Sequence, residues 1–298
     1  MQLIEPPLPE PRTTFGGDEF IFCEIAEGMS FGANFKALAI CQELARRKHP
    51  GIVEIAQANA SYLVRLNPDE IDIKQLKDEL QEIYDGTAAA HLTFPTRVID
   101  VPAFYDDPWT HEVLMRFRDR HQTPDRSDLE YVTEVNGFAT TAEFIAAHHG
   151  APYYVSMLGF VPGLPWCYQM VRREQMLEVP KYVRPRTDTP ARALSHGGAF
   201  AAIYPVQGPG GYQLFAICAA PIFDPTQSLP DFQESFAVFR GGDILKFRPV
   251  DRTEYDAIRE EVEAGVFRYR KLDVDFEPAH FFADPEGYNA ELLARLYA

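Results

Sequence analysis

Residues 180–215 read PKYVRPRTDTPARALSHGGAFAAIYPVQGPGGYQLF, and this stretch decides the fold. It opens with a basic loop in which Lys181, Arg184, Arg186 and Arg192 face a single acid, Asp188. Two glycine pairs follow, Gly197-Gly198 and Gly210-Gly211, each leading into an apolar, strand-like run. Tyr204-Pro205 and the turn Gln207-Gly208-Pro209 lie between those runs. Adjacent glycines let a backbone approach a ligand closely or adopt positive φ, which residues with side chains resist. The stretch reads as two strands framing a backbone-lined site, with a cationic loop at its mouth.

Working outward, the region from about 153 to 249 continues as short strands broken by Gly/Pro turns, with further strands near 153–158 and 244–248. That rhythm predicts a closed or nearly closed β-barrel. Before it, Asp107-Pro108 predicts an N-cap and first turn of a helix running to about His121. Ser127 with Glu130 and Thr140 with Glu143 predict capping boxes for two more, ending at Asn136-Gly137 and Gly150. Between 19 and 101 the order is strand, helix, strand, strand, helix, strand, with a hairpin turn at Asn59; this is a split βαβ, ferredoxin-like unit. Residues 1–17, with Pro6, Pro7, Pro9, Pro11 and then Gly16-Gly17, predict an extended arm. A charged helix over 251–263 stopped by Gly265, a strand near 272–276 and a last helix from about Pro285 finish the chain. The expected division is thus 1–17 arm, 18–95 α/β domain, 96–250 barrel with a helical insertion, and 251–298 C-terminal helical extension.

The motifs carry a resemblance. PRT-x-TP, a glycine pair, an aromatic-Pro strand end and GPGGYQL resemble the allophanate hydrolase subunit 1 family, also known as the Kip-inhibitor family or as the B-type 5-oxoprolinase subunits. Gly159-Phe160-Val161-Pro162-Gly163-Leu164-Pro165 resembles its second signature, upstream of the first. Asp106-Asp107-Pro108 and Glu134-Val135-Asn136-Gly137 look more like the carboxyltransferase part of urea carboxylases. The resemblance implies an α+β chain, the ferredoxin-like domain being followed by a cyclophilin-like β-barrel. It implies a small subunit that moves a carboxyl group from carboxybiotin, presented by a separate carrier, to an amide or urea-type nitrogen. A larger subunit 2 or Kip-antagonist-type partner, with biotin carrier and biotin carboxylase proteins, goes with that reading. Two alternatives stay open: the B-type subunit of an ATP-dependent 5-oxoprolinase, with ATP handled by partner subunits, or a regulator of a histidine kinase.

Composition sets limits on these readings. The chain has 298 residues, 28 basic and 44 acidic side chains and a formal net charge of −16. Such a field disfavours nucleic acid and anionic membrane surfaces, and it makes the local basic loop conspicuous as an entrance for an anionic substrate. Cys23, Cys41, Cys167 and Cys218 show neither CxxC nor disulfide-framework spacing, so buried thiols are expected and no metal. No apolar run reaches membrane-spanning length and no signal-peptide pattern opens the sequence, so the expectation is a cytoplasmic protein. GxxxxGK[ST] and GxSxG motifs are absent, and Met170 and Met176 do not bracket a biotin-accepting lysine. Any catalysis is therefore expected to use part of a shared site.

Candidate residues follow from chemistry. The arginine fork suits carboxyl groups, so Arg184 and Arg186 are substrate candidates, with Arg186 in the family's motif position and Thr187 beside it. Lys181 adds charge. Amides of Gly197, Gly198, Gly208, Gly210 and Gly211 read as an oxyanion or carboxylate cradle, or as tight turns that need glycine for shape alone. Tyr204, Gln207 and Tyr212 are candidate orienting donors. His196, beside the first pair, reads either as a general base or as a substitution without chemical role. His91, His111 and His121 show no ligand spacing, and His148-His149 suits a helix end.

Overall fold

A computed structural model describes residues 7–87 and 93–298; Pro6 and His91 lie outside them. Residues through Pro95 with Asp275–Pro285 pack as one unit, and Thr96–Val274 with Glu286–Ala298 as another.

The first unit contains β1 (Arg12–Gly16), β2 (Phe20–Glu24), α1 (Phe31–Arg47), β3 (Ile52–Gln57), β4 (Ser61–Leu66) and α2 (Ile73–Gly86). Its sheet is antiparallel in the order β1-β2-β4-β3. α1 starts at Ser30, whose hydroxyl accepts from the Ala33 N–H at 3.2 Å, and ends in a left-handed Lys48. Asp72 caps α2, which lays Leu76, Leu80 and Ile83 on one face against Val64, Leu66 and the α1 residues Ala37, Ile40 and Leu44. Residues 12–16, read from sequence as arm, form strand β1 and take the edge beside β2. The split βαβ reading reserved that edge for the strand after α2.

That later strand goes elsewhere. β5 (Phe94–Tyr105) is twelve residues long, and nine of its positions are buried, on both faces. Such a strand needs cover on both sides, which a barrel wall with outer helices supplies. After it come α3 (Pro108–Phe117), α4 (Asp128–Val135), α5 (Thr141–Gly150), β6 (Tyr153–Leu158), β7 (Pro165–Gln169), β8 (Arg186–Thr189), β9 (Ala193–Gly197), β10 (Phe200–Ile203), β11 (Gly208–Gly210), β12 (Gln213–Cys218) and β13 (Ile244–Pro249). The order β12-β9-β10-β7-β6-β13-β5, with β5 pairing back onto β12, closes a seven-stranded barrel. β13 runs parallel to β5, from Ile244↔Val98 to Pro249↔Ala103. Both expected capping boxes are present, at Ser127/Glu130 and Thr140/Glu143, as is the Asp107 cap before Pro108.

The chain ends with α6 (Arg252–Glu263), β14 (Lys271–Phe276), α7 (Pro278–Ala283) and α8 (Pro285–Tyr297). These residues, read as one helical extension, divide between the units. Phe276 and Phe281 join Phe31, Phe35 and Phe94 in an aromatic cluster with ring centroids 5.0–5.8 Å apart for the pairs Phe31–Phe281, Phe35–Phe276 and Phe94–Phe276. α8 instead returns to the barrel unit, where the Asn289 side chain donates to the Met170 carbonyl. All four cysteines are buried free thiols. Among the described residues no helix is long and apolar enough to cross a membrane.

Candidate active site

A cavity of about 410 Å³ opens on the barrel wall where the 180–215 stretch folds back on itself. Trp166 from β7 and Ala202 from β10 line it, with Tyr204 just beyond β10. Lys181, Tyr182 and Pro185 come from the basic loop, and Pro209, Gly210, Gly211 and Tyr212 from the β11–β12 turn. Phe160 and Leu164 come from the second signature, so the two Gly/Pro motifs meet in one place. Phe160 lies at φ 73 and is exposed, an uncommon backbone for a bulky residue.

The glycines make room for the aromatic walls. A Cβ on Gly197 would stand 2.3 Å from the Tyr212 ring, and one on Gly210 would stand 2.3 Å from the Tyr204 hydroxyl. Gly198 takes positive φ, and its N–H and C=O are both bonded to Val179. The Gly211 carbonyl accepts from the Tyr182 N–H at 2.8 Å. Burial raises the Tyr204 phenol above its ordinary value; Arg186 and the backbone N–H groups of Tyr212 and Gly211 act against that rise. The space assigned from sequence to a bare-backbone cradle is thus taken largely by tyrosine, and the Gly198 amide by Val179.

Two cavity-lining residues keep a buried polar atom without a hydrogen-bond partner, Trp166 Nε1 and Tyr212 Oη. An indole N–H only donates, and an orphaned buried donor costs free energy. Both atoms are closed to water, so they lie behind the cavity surface, which these residues line with their rings. Lys181 is the cavity's cation, exposed, with its ammonium 5.2 Å from the Tyr212 ring centroid.

Arg186 stands behind this wall rather than in it. It is fully buried, donates from Nη2 to the Tyr212 carbonyl at 2.7 Å and from Nε to Thr189 Oγ1 at 3.3 Å, and stacks on Tyr182 at 4.5 Å. Its Nη1 has no hydrogen-bond partner and lies 3.9 Å from Asp128 Oδ2. Asp128 accepts from the Tyr182 hydroxyl and from the Leu214 N–H at 2.7 Å. Burial pushes its carboxyl above the ordinary range; Arg186 is the largest influence in the other direction. His121 completes the group, its Nε2 3.0 Å from Gln213 Oε1 and 3.8 Å from Asp128 Oδ1. Sequence reasoning did not single out Asp128 and found no ligand spacing for His121, because their partners Tyr182, Leu214 and Gln213 lie 54 to 92 residues away in sequence.

The remaining candidates scatter. His196 is fully buried in the barrel interior, with Nε2–H donating to the Leu177 carbonyl at 3.1 Å and Nδ1 unpartnered. Burial pushes its pKa down to about 4, so the ring is neutral near pH 7, and it is absent from the cavity lining. Arg184 is exposed and pairs with Asp119 at 3.1 Å. Thr187 is exposed on β8, Gly208 pairs with Thr189, and Gln207 donates to Asp188 at 2.7 Å.

This assembly of motifs has a counterpart in known proteins. Residues 11–232 match the carboxyltransferase domain, subdomain C and D. The chain belongs to that family. It is 34% identical over 262 residues to the B-type 5-oxoprolinase subunit of Bacillus subtilis (strain 168), covering 82% of this chain and 95% of that relative. To urea amidolyase of Lachancea kluyveri it is 27% identical over 266 residues, covering 86% of this carboxyltransferase-family chain but 14% of the larger enzyme. The solved structure of the K. lactis urea amidolyase superposes with a TM-score of 0.80 at 20% identity, over 99% of this chain and 19% of that one, which establishes the shared fold.

Proposed function

We propose that this carboxyltransferase-type chain supplies one part of a composite active site that moves a carboxyl group to an amide or urea-type nitrogen, together with a larger subunit 2-type partner. The observation that carries the reading is the cavity itself: aromatic walls and one exposed cation. Carboxybiotin on a separate carrier supplies the carboxyl group. Lys181 faces a carboxylate, and the rings of Trp166, Tyr182, Tyr204 and Tyr212 exclude water around it. Excluding water strengthens that contact. Arg186 holds the Tyr212 carbonyl and so positions that wall. Among the described residues no carboxylate or histidine lines the cavity, so the base that accepts the nitrogen's proton belongs to the partner.

One observation favours a second reading. The similarity to the B-type 5-oxoprolinase subunit runs nearly the full length of that relative. There Lys181 would hold the lactam's carboxylate against the same aromatic wall, with ATP handled by partner subunits. The test is purification of the tagged full chain from its native cells, followed by ATP-dependent turnover of urea-type amides and of 5-oxoproline with and without avidin. A larger co-purifying subunit and avidin-sensitive carboxylation support the first reading. Avidin-insensitive consumption of 5-oxoproline replaces it with the second. Recovery without any larger subunit removes both.

A further inference from the structure

A separate groove of about 560 Å³ lies between α3, α6 and the turn joining β8 to β9. Its lining includes Trp109, Arg116, Asp188, Arg192, Arg259 and Glu263. Arg192 has φ 70, in the left-handed region that favours glycine. Its backbone is pinned there: the N–H donates to the Tyr204 carbonyl at 2.6 Å, and the carbonyl accepts from the Cys218 N–H at 2.9 Å. Backbone held in a sparsely populated region by its surroundings often marks a functional position.

The side chain is used sparingly. Arg192 Nη1 donates to the carbonyls of Cys218 (2.7 Å) and Ala219 (3.3 Å) and to the Tyr255 hydroxyl (3.0 Å). Arg259 Nη1 donates to the same Ala219 oxygen at 3.2 Å. Two guanidinium groups therefore converge on one neutral acceptor, each with Nη2 and Nε left over. Both residues are half-buried, and burial together with Arg192 holds the Arg259 guanidinium below its ordinary value. Among the described residues neither has a carboxylate within ion-pair distance.

The nearby acids are engaged elsewhere. Asp188 accepts from Arg116 at 2.9 Å and from Gln207 at 2.7 Å, and Asp256 pairs with Arg252 at 2.7 Å. Glu263 is exposed, so water screens its charge. In a chain of net charge −16, two adjacent half-buried cations without a counter-ion are unusual. Like charges brought together out of water repel, and an anion with several acceptor oxygens relieves that repulsion. Trp109 and Tyr255, with ring centroids 5.1 Å apart, give the groove an apolar wall beside the cations.

We propose that Arg192 and Arg259 form a binding site for the phosphate group of a small molecule, with the Trp109–Tyr255 wall holding the remainder. Arginine's planar fork suits phosphate, and the leftover Nε and Nη2 donors of two forks can reach several of its oxygens. The site is separate from the aromatic cavity, so its failure leaves the reading of that cavity untouched.

The test is a thermal melt and a calorimetric titration of the full chain with inorganic phosphate and with phenyl phosphate, at ionic strength held constant with chloride. A saturable rise in Tm is expected, with phenyl phosphate binding more tightly than phosphate. Arg259→Gln weakens binding about tenfold or more, the loss of a charge-assisted hydrogen bond. Of the three carboxylates that line the groove among the described residues, Asp188, Asp256 and Glu263, the first two are paired with Arg116 and Arg252; Glu263→Gln removes the third and tightens binding, a gain that misfolding cannot imitate. Lys181→Met, in the other cavity, leaves it unchanged. A rise that chloride reproduces, or one that ignores both Arg259→Gln and Glu263→Gln, overturns the proposal.

Discussion

Replacing Gly210 by alanine tests how the aromatic cavity is built. The new Cβ would stand 2.3 Å from Tyr204 Oη and 2.5 and 2.7 Å from its ring carbons, where ordinary contact begins near 3.4 Å. Gly210 has no positive φ, so the backbone accepts alanine and the conflict is purely steric. Tyr204 is 4% exposed and borders the cavity on one side, so relief requires its ring to move about an ångström, out of its packed position and into that cavity. Overpacking of that kind costs about 1–3 kcal/mol. Two neighbours are controls. Gly208 has open space and no positive φ, so Gly208→Ala should be neutral or stabilising by up to about 1 kcal/mol through the unfolded chain. Gly198 has open space but φ +61, so Gly198→Ala should lose about 1 kcal/mol from backbone strain without disturbing the cavity. Urea unfolding followed by tryptophan fluorescence suits the measurement, since the chain's two tryptophans, Trp109 and Trp166, both lie in the barrel unit. Equal midpoints and m-values for Gly210→Ala and the unsubstituted protein would refute the packing argument.

Three further outcomes follow from the same contacts. Arg186→Met strands the Asp128 carboxylate in the interior and should cost about 3–5 kcal/mol, with part recovered in the Arg186→Met/Asp128→Asn double variant; additive losses in a double-mutant cycle would show that the two are not coupled. Lys181→Met should change stability by less than about 1 kcal/mol while weakening a carboxylate-bearing ligand of the cavity about tenfold, read by titration calorimetry; unchanged affinity would remove the lysine from the site. His196 is depressed from an ordinary 6.5 to about 4, so the folded state binds fewer protons than the unfolded chain. Its neutral form costs nothing above about pH 6.5, and stability falls as pH drops from there towards 4, by up to about 3 kcal/mol; urea melts of His196→Gln should lack that part of the slope, and an unchanged slope would contradict the assignment.

Local signals were the ones legible in sequence. Caps at Asp107, Ser127 and Thr140 depend on residues two or three apart, and all three hold. The Gly/Pro turns are local too, and residues of both motifs line one cavity. The destination of β5 was not local. Its order after α2 fits a split βαβ, but its near-continuous burial demands cover on both faces, and the partners that provide it, β12 and β13, lie more than a hundred residues downstream. β1 then fills the edge left open, although its own burial pattern, almost wholly exposed, gives no hydrophobic signature to read.

The basic loop shows why composition locates a site without ranking its residues. Four cations within twelve positions meet four environments. On β8 the alternation of a strand turns Arg186 inward and Thr187 outward, so the arginine with the strongest sequence claim on a carboxylate is spent on Asp128 and a backbone carbonyl. Arg184, in the preceding turn, stays in solvent with Asp119. Lys181 alone lines the aromatic cavity, while Arg192 crosses to the next groove beside Arg259. Strand register decided the case of Arg186, and a one-residue slip of β8 would exchange it for Thr187 at the buried position, while loop and turn geometry placed the other three. In the proposed reading the cavity's charge comes from Lys181 in the loop before β8, and its aromatic wall from Trp166, Tyr204 and Tyr212.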